Sequence, residues 1–317
     1  MKTVRGSLAL ILLNLAAALP LLAGTPMPDR GKVIEEPCPP DTRAMLSFRT
    51  DYTFTGKFRT SREFSGVTRG DSSHQDLEAS YRIPLSPITW PGQECGHWYL
   101  RVGAEHERYD FRHRGGSLPL PDTLQSIAGV VAFEYLVKGE VAIFLEARPG
   151  AYFEHDIHCG TFNVPVKIGT AIPLSKTVYV TLGVAYNAFW HNPVFVAPGI
   201  VWLINDRWTL LANAPEPKLI YSPTKELQFW VGGEVTETAF RTDVKPVRKR
   251  PRLSGAVVDY GDVRASAGVT FSGFKPLTID FAAGYAVQRS FDFHRAGDSY
   301  RTDGGSPFLK LQFTADL

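Results

Sequence analysis

Cysteine, methionine and recognisable catalytic motifs are scarce in this sequence. Three cysteines and three methionines occur in 317 residues, which is too few cysteines for a fold built on several disulfides. The chain contains no Gly-x-Ser-x-Gly elbow, no His-Glu-x-x-His pair and no phosphate-binding glycine loop. The chain therefore lacks the common sequence signatures of serine hydrolases, zinc peptidases and nucleotide-binding enzymes.

Long apolar runs are also missing. After the first 24 residues, no segment approaches the run of about 18 apolar residues that a membrane-spanning helix needs. The charges nearly cancel, at a formal net charge of +2, so we expect no nucleic-acid partner. What the chain does contain is 28 glycines, 23 prolines and 12% aromatic residues. This composition suits many strands joined by turns.

The first 24 residues have the three regions of an export signal. Lys2 and Arg5 supply positive charge, residues 8–19 form an apolar stretch, and the small residues Ala23 and Gly24 precede a cleavage point. This order of regions is typical of a secretory signal peptide. We therefore predict that the chain is exported and that the signal peptide is removed.

The rest of the chain alternates apolar and polar residues over long segments. In residues 277–287 the odd positions are apolar and the even positions are polar or small, and residues 225–240 and 257–271 repeat the pattern. Successive side chains of a strand point to opposite faces, so each segment is predicted to be a strand with one apolar face. Strands of about ten residues match a tilted crossing of a bilayer, whereas soluble strands average about 5–6 residues.

Charged side chains lie in the middle of several polar faces. A charge facing lipid at the bilayer midplane costs about 2–4 kcal/mol, so we predict that these faces line the lumen of a membrane barrel. A secreted sandwich would explain the alternation equally well, but not the strand length. The residues predicted to face the lumen are Arg101, Glu105, Glu107, Glu146, Arg148, Arg264 and Asp280.

The C-terminus ends on a strand. From Pro307 to Leu317 the odd positions after the proline are apolar and the even ones are mostly polar. The segment resembles the β-signal through which the barrel-assembly machinery recognises outer-membrane proteins, although the usual last residue of that signal is Phe. We predict that this machinery is a partner of the chain.

The turn signals predict an all-β fold, a single transmembrane antiparallel β-barrel of fourteen strands, with twelve as the alternative because two of the strands are short. Tight turns alternate with longer connections, which is typical of bacterial outer-membrane barrels and predicts periplasmic N- and C-termini. The predicted organisation is a signal peptide, a periplasmic segment and a barrel (1–24, 25–43 and 44–317). The predicted strands are 44–58, 72–83, 97–111, 124–137, 140–153, 161–172, 177–188, 195–204, 207–214, 217–222, 226–240, 257–271, 277–293 and 307–317.

Several proline-, glycine- and aromatic-rich runs carry a resemblance. They look like the central part of an uncharacterised outer-membrane β-barrel family of environmental Gram-negative bacteria, a domain of unknown function. The resemblance implies the fold and the membrane, and it assigns no catalytic residue. The runs are His191–Trp202, Trp208–Leu211, Lys218–Tyr221, Arg148–Gly150 and Leu182–Tyr186, together with Pro215.

Two groups of loop residues have alternative interpretations. Cys38 and Cys95 fall on the predicted periplasmic side, which is oxidising, so we predict a disulfide between them; three unpaired thiols remain the alternative. A basic block in a predicted external loop could hold lipopolysaccharide phosphates or be a solvated charge run. Its residues are Arg248, Lys249, Arg250 and Arg252.

A further loop gathers four residue types that bind metals. His155, Asp156, His158 and Cys159 lie within five residues. Structural zinc normally needs four ligands at a recognised spacing, so we interpret this run as an ordinary polar loop. No metal and no other cofactor is predicted.

The leading functional hypothesis is a pore for small solutes in the outer membrane. It depends on the small residues of the predicted inner faces, because barrels of this size can enclose a lumen. A closed barrel acting as a structural or surface scaffold is the first alternative, and an outer-membrane lipid-modifying enzyme is the second. The predicted partners are outer-membrane lipids, lipopolysaccharide and a small solute.

Overall fold

A computed structural model describes residues 44–60, 67–88, 96–114, 118–137, 140–244 and 251–317. The predicted signal peptide lies outside the described residues, as do Cys38, Cys95, Arg248, Lys249 and Arg250. Within the described part, no helix is long and apolar enough to cross a membrane.

The described residues form one antiparallel β-sheet that closes on itself. Three of the barrel strands are interrupted, so β5 continues as β6, β7 as β8 and β16 as β17. The strands are β1 (Ala44–Thr60), β2 (Val67–Ile88), β3 (Gly96–Arg114), β4 (Thr123–Val137), β5 (Glu140–Ala147), β6 (Gly150–Phe153), β7 (Phe162–Asn163), β8 (Val166–Pro173), β9 (Val178–Tyr186), β10 (Val194–Leu203), β11 (Trp208–Asn213), β12 (Lys218–Tyr221), β13 (Leu227–Arg241), β14 (Val257–Phe274), β15 (Leu277–Phe293), β16 (Asp298–Thr302) and β17 (Ser306–Asp316).

The barrel has fourteen strands over the residues that the structure describes, which confirms the prediction. The last strand, β17, pairs with β1 from Phe308↔Thr53 to Asp316↔Met45 and so closes the ring. Ala44 and Leu317 exchange both backbone hydrogen bonds, at 3.1 and 2.8 Å. We call this end of the barrel the terminal end and the opposite one the loop end.

The same sheet closes a second time, nearer the loop end. Arg241, the last residue of β13, pairs in parallel with Phe153, the last residue of β6. The Glu154 backbone N–H also donates to the Arg241 carbonyl, at 3.1 Å. The strands β7 to β12 are bypassed at this level, so the ring that remains consists of β1 to β4, β6 and β13 to β16. A wide fourteen-strand ring at the terminal end therefore narrows to nine strands at the loop end.

The apolar face of each strand points outward. Leu182 on β9, Val231 on β13 and Phe281 on β15 are 46%, 54% and 48% exposed. Their sequence neighbours point inward, as Trp230 on β13 and Ala282 on β15 are buried. The alternation predicted from the sequence is therefore present, and the outer surface of the barrel is a belt of exposed apolar side chains.

The predicted strand boundaries differ most from the structure in β2, which begins at Val67 and not at residue 72, and after β15. β2 extends to Ile88, well beyond the predicted end at residue 83, because a bulge between Pro84 and Pro87 lets the strand continue past both prolines. The connection after β15 was predicted to be a long loop over 294–306, but it contains the strand β16, which pairs with β1 and β15.

Candidate functional site

The interior of the barrel holds two networks of ion pairs. The first contains side chains from β2, β3, β4, β5 and β8, and Arg148 from the segment between β5 and β6. Arg101 on β3 binds Glu78 through Nη1 and Glu134 through Nε, both at 2.7 Å, and its Nη2 binds Glu146. The network contains four cations and four carboxylates, which are Arg82, Arg101, Arg148, Lys167, Glu78, Glu105, Glu134 and Glu146.

Arg148 ties the first network together across the bore. It lies between β5 and β6, and its Nε donates to Glu146 at 2.7 Å. Its Nη2 reaches Glu78 on β2 at 3.1 Å, past two intervening strands, and its Nη1 binds Glu105. Charges held in this way by partners and hydrogen bonds can remain ionised away from bulk water.

The second network contains side chains from six strands, which are β1, β2, β3, β13, β14 and β17. Arg264 on β14 binds Asp51 on β1 at 2.9 Å and Asp262 at 2.8 Å. Arg49 and Lys310 bind the two oxygens of Glu234, at 2.5 and 3.1 Å. These pairs are nearly inaccessible to solvent, since the side chains of Arg264 and Asp51 are 3% and 1% exposed.

His74 completes the second network. Its Nδ1 lies 2.9 Å from Asp51 and its Nε2 lies 3.2 Å from Glu107. The imidazole also stacks on Tyr109, with ring centroids 4.2 Å apart. With both ring nitrogens facing carboxylates, the protonated imidazole fits the site best, because it donates from both nitrogens. The second network then balances as well, with four positive and four negative groups.

The wall formed by β9, β10 and β11 is uncharged, and most of its inner side chains are small. The inner positions of β9, β10 and β11 include Thr181, Gly183, Gly199 and Asn213, and Thr181 donates to Asn213 across β10 at 3.2 Å. A Cβ at Gly199 would collide with the Asn213 side chain, so this hydrogen bond requires glycine between its partners. The charged side chains of the two networks thus lie on other strands of the barrel.

Aromatic side chains fill the nine-strand ring. Tyr109 and Phe111 on β3 pack against Tyr260 on β14, with ring centroids 5.1 and 5.0 Å apart. Phe291 on β15 contacts Phe111 at 4.9 Å and Tyr260 at 5.1 Å. These rings are buried within a larger apolar cluster. We call these four residues the aromatic plug, because they occupy the interior where the barrel is narrowest.

The seven residues predicted to face the lumen lie on the inner side of the barrel. Six of them belong to the two networks. Arg101, Glu105, Glu146 and Arg148 belong to the first network, and Glu107 and Arg264 belong to the second. The seventh, Asp280, accepts a hydrogen bond from Trp230 Nε1 at 3.0 Å. The sequence analysis missed Asp51, His74 and Glu234, although their spacing of two from other polar residues could have indicated them.

The loop residues have separate roles. His155 Nδ1 lies 3.1 Å from Asp243 Oδ2, so it connects two loops at the loop end. His158 Nδ1 accepts from the Gly160 backbone N–H within a short 3-10 turn, and Cys159 is exposed and unpaired within the described part of the chain. The structure therefore does not bring the four candidate metal ligands of this loop to one point.

One residue of the predicted basic block is described. Arg252 Nη2 binds Asp298 on β16 at 2.8 Å, and its Nε binds the second carboxylate oxygen at 3.1 Å. This guanidinium is therefore engaged in an ion pair. The anion-binding role of the block stays a prediction.

No protein-family model matches the chain, and no curated protein matches it. Among solved structures, the chain is similar to the toluene transporter TodX of Pseudomonas putida, at 8% identity and a TM-score of 0.30, with 88% of this chain and 90% of that chain covered. It is also similar to OccK7 of Pseudomonas aeruginosa, at 9% identity and 0.31, with 87% and 99% covered. The transport unit of the autotransporter AIDA-I from Escherichia coli matches at 8% identity and 0.27, with 98% and 97% covered. At this level of similarity the matches identify no family for the chain.

Proposed function

We propose that the protein is an outer-membrane channel for small solutes, with its loop end closed in the conformation described. The observation that carries the proposal is the double closure of the sheet. Barrels of about eight strands are filled by their own side chains, whereas wider barrels can enclose a lumen. The nine-strand ring is filled accordingly, and the fourteen-strand ring at the terminal end provides the wider section.

The membrane location rests on the outer surface. Exposed apolar side chains occur on strands all around the ring, as on Phe48 of β1, Leu145 of β5 and Trp202 of β10. A water-soluble protein rarely exposes a continuous apolar area larger than a few hundred Å². A bilayer would cover such a belt. The signal peptide predicted from the sequence is consistent with export to the outer membrane.

The inner surface suggests which solutes would pass. The ion-pair networks line much of the bore with paired cations and carboxylates, and the inner positions Thr181, Gly183, Gly199 and Asn213 of β9 to β11 are small and uncharged. Such a surface offers hydrogen bonds of both kinds and no net charge. We therefore propose small polar solutes without a strong preference for either charge sign.

A closed scaffold is the second candidate, and a specific observation favours it. The two networks pair their charges within the interior, and the aromatic plug fills the narrow ring. A barrel that only supports surface loops would have such a packed interior. Planar-bilayer recording separates the candidates. The channel predicts single-channel current steps from the refolded wild-type protein, and their absence at every voltage and salt concentration would reject it.

A charge on the outer belt tests the membrane placement. Phe281→Arg puts a guanidinium near the middle of the outer face of β15, where Phe281 is 48% exposed. We expect the free energy of unfolding in lipid vesicles to fall by about 2–4 kcal/mol, because lipid cannot solvate the charge. Phe274→Arg, at the turn of the terminal end, is the matched control and should cost about 0–1 kcal/mol. Equal effects of the two variants would contradict the placement.

A further inference from the structure

We propose a binding site for a divalent transition metal, with Zn²⁺ as the probe, on the outside of the nine-strand ring. Its ligands are His191, Asp259 and His294. The connection between β9 and β10 supplies His191, β14 supplies Asp259, and His294 follows directly after β15. This site lies outside the bore, so the proposal of a metal site does not depend on the proposed channel function.

The fold brings the three residues together from distant parts of the chain. His294 Nδ1 lies 3.1 Å from Asp259 Oδ2. The backbone N–H of His191 donates to the same oxygen at 3.3 Å. The two imidazole rings meet edge to face, with centroids 5.1 Å apart. Two histidines and a carboxylate are thus gathered at the point where the connection between β9 and β10 meets the ends of β14 and β15.

A buried polar atom at this point lacks a partner. Among the described residues, Asp259 Oδ1 has no hydrogen-bond partner although it is shielded from solvent, whereas the other oxygen of the same carboxylate faces His294 Nδ1. The side chains of Asp259 and His294 are only 4% and 9% exposed. Buried polar groups nearly always have a partner, so the unpartnered Asp259 Oδ1 next to two imidazoles indicates a missing ligand.

The local charge favours a cation. Asp292 on β15 stands directly opposite Asp259 in the sheet, and like charges in directly opposed positions repel each other. Glu237 on β13 lies two residues before Ala239, which is the direct partner of Asp259 in the sheet. Arg301 on β16 pairs with Ser290, two residues before Asp292 on β15, and Arg295 is occupied by the Ala188 carbonyl at 3.0 Å. A bound divalent cation would relieve this repulsion.

The geometry suits zinc. Two ligand atoms that each lie about 2.0–2.1 Å from a tetrahedral zinc ion are about 3.3–3.4 Å apart. The observed 3.1 Å between His294 Nδ1 and Asp259 Oδ2 is close to this separation. A side-chain rotation of exposed His191 would supply the third ligand, and water the fourth. Imidazole nitrogen with carboxylate oxygen is a donor set that zinc accepts.

A second group of potential ligands lies nearby and is already engaged by the protein. Glu154, His155 and Asp243 have ligand atoms within 4.8 Å of one another. However, the Asp243 carboxylate accepts from the backbone N–H groups of His155 and Asp156 at 3.1 and 3.0 Å, and it faces His155 Nδ1. Its lone pairs thus serve to hold two loops together. His155 is therefore the internal control for His191 and His294.

Calorimetric titration of Zn²⁺ into the refolded, EDTA-treated protein tests the proposal. We expect one Zn²⁺ per chain and a thermal midpoint that rises with Zn²⁺ concentration, because a ligand that binds only the folded state stabilises it. His191→Ala and His294→Ala should each weaken binding about tenfold or more, and His155→Ala should leave it unchanged. Co²⁺ in place of Zn²⁺ should give the visible absorption of a tetrahedral site in the wild type and lose it in His294→Ala.

Three outcomes would overturn the proposal. These are no saturable binding to the wild type, binding unaffected by both His191→Ala and His294→Ala, or binding lost only in His155→Ala. His191 is exposed in a connection, so its variant should fold. Folding of each variant is checked by the shift in gel mobility between heated and unheated samples.

Discussion

Replacing Arg264 by methionine is expected to lower the free energy of unfolding by about 3–5 kcal/mol. Arg264 is almost fully buried and binds Asp51 and Asp262 at 2.9 and 2.8 Å. Removal of one partner of a buried pair leaves the other charge without compensation. In this variant the buried carboxylates of Asp51 and Asp262 would both lose their ion pair with Arg264. Only His74 and Arg49 would remain as cations next to Asp51. Urea titration of the protein in lipid vesicles measures the change.

The matched control is an exposed ion pair on the same barrel. Arg59 on β1 binds Asp303 at 2.8 Å, with both side chains more than half exposed, at 60% and 54%. Such surface pairs contribute about 0–1 kcal/mol, so Arg59→Met should change stability little. If Arg264→Met costs no more than Arg59→Met, the second network is not closed to water in the way described.

Truncation of the aromatic plug should have the second large effect. Phe291→Ala removes a fully buried ring that contacts Phe111, Tyr260 and Phe58. Such a change in a packed interior costs about 3–5 kcal/mol. If the proposed channel is correct, the cavity left in the narrow ring should also increase single-channel conductance. Bilayer recordings and urea titrations of the same preparation measure the two effects.

The control for the plug is on the same strand. Phe281→Ala makes the same change on the outer face of β15, where the ring is 48% exposed. We expect a smaller loss of stability and an unchanged conductance, because this side chain does not border the bore. A rise in conductance of equal size in both variants would show that current passes around the barrel and not through the plug.

The sequence was informative wherever one side chain faces lipid and the next faces the interior. The long alternations of β13, β14 and β15 set strand number and face correctly, because a one-residue slip would place every apolar side chain in the bore. The charged positions of β3, such as Arg101 and Glu105, were found for the same reason. Local periodicity therefore predicted the strands of the barrel wall and some of the charged residues that face its interior.

Bulges and long-range pairing escaped the sequence analysis. On β1 a register shift between Thr53 and Gly56 moves the inward face from Asp51 to Phe58, which breaks the period of two. The pairing of Phe153 with Arg241 joins strands far apart in the chain, and no local pattern records it. Hence the narrow ring, its aromatic plug and the cluster around Asp259 became visible only in three dimensions.

The double closure of the sheet also determines which end of the barrel each set of buried charges faces. The aromatic plug blocks the loop end, so His74 and its carboxylates lie on the side of the plug that faces the terminal end. Asp259 and His294 lie outside the narrow ring, next to the connection between β9 and β10. A water-soluble reagent that cannot pass the plug would therefore approach the two sets of charges from opposite ends of one barrel.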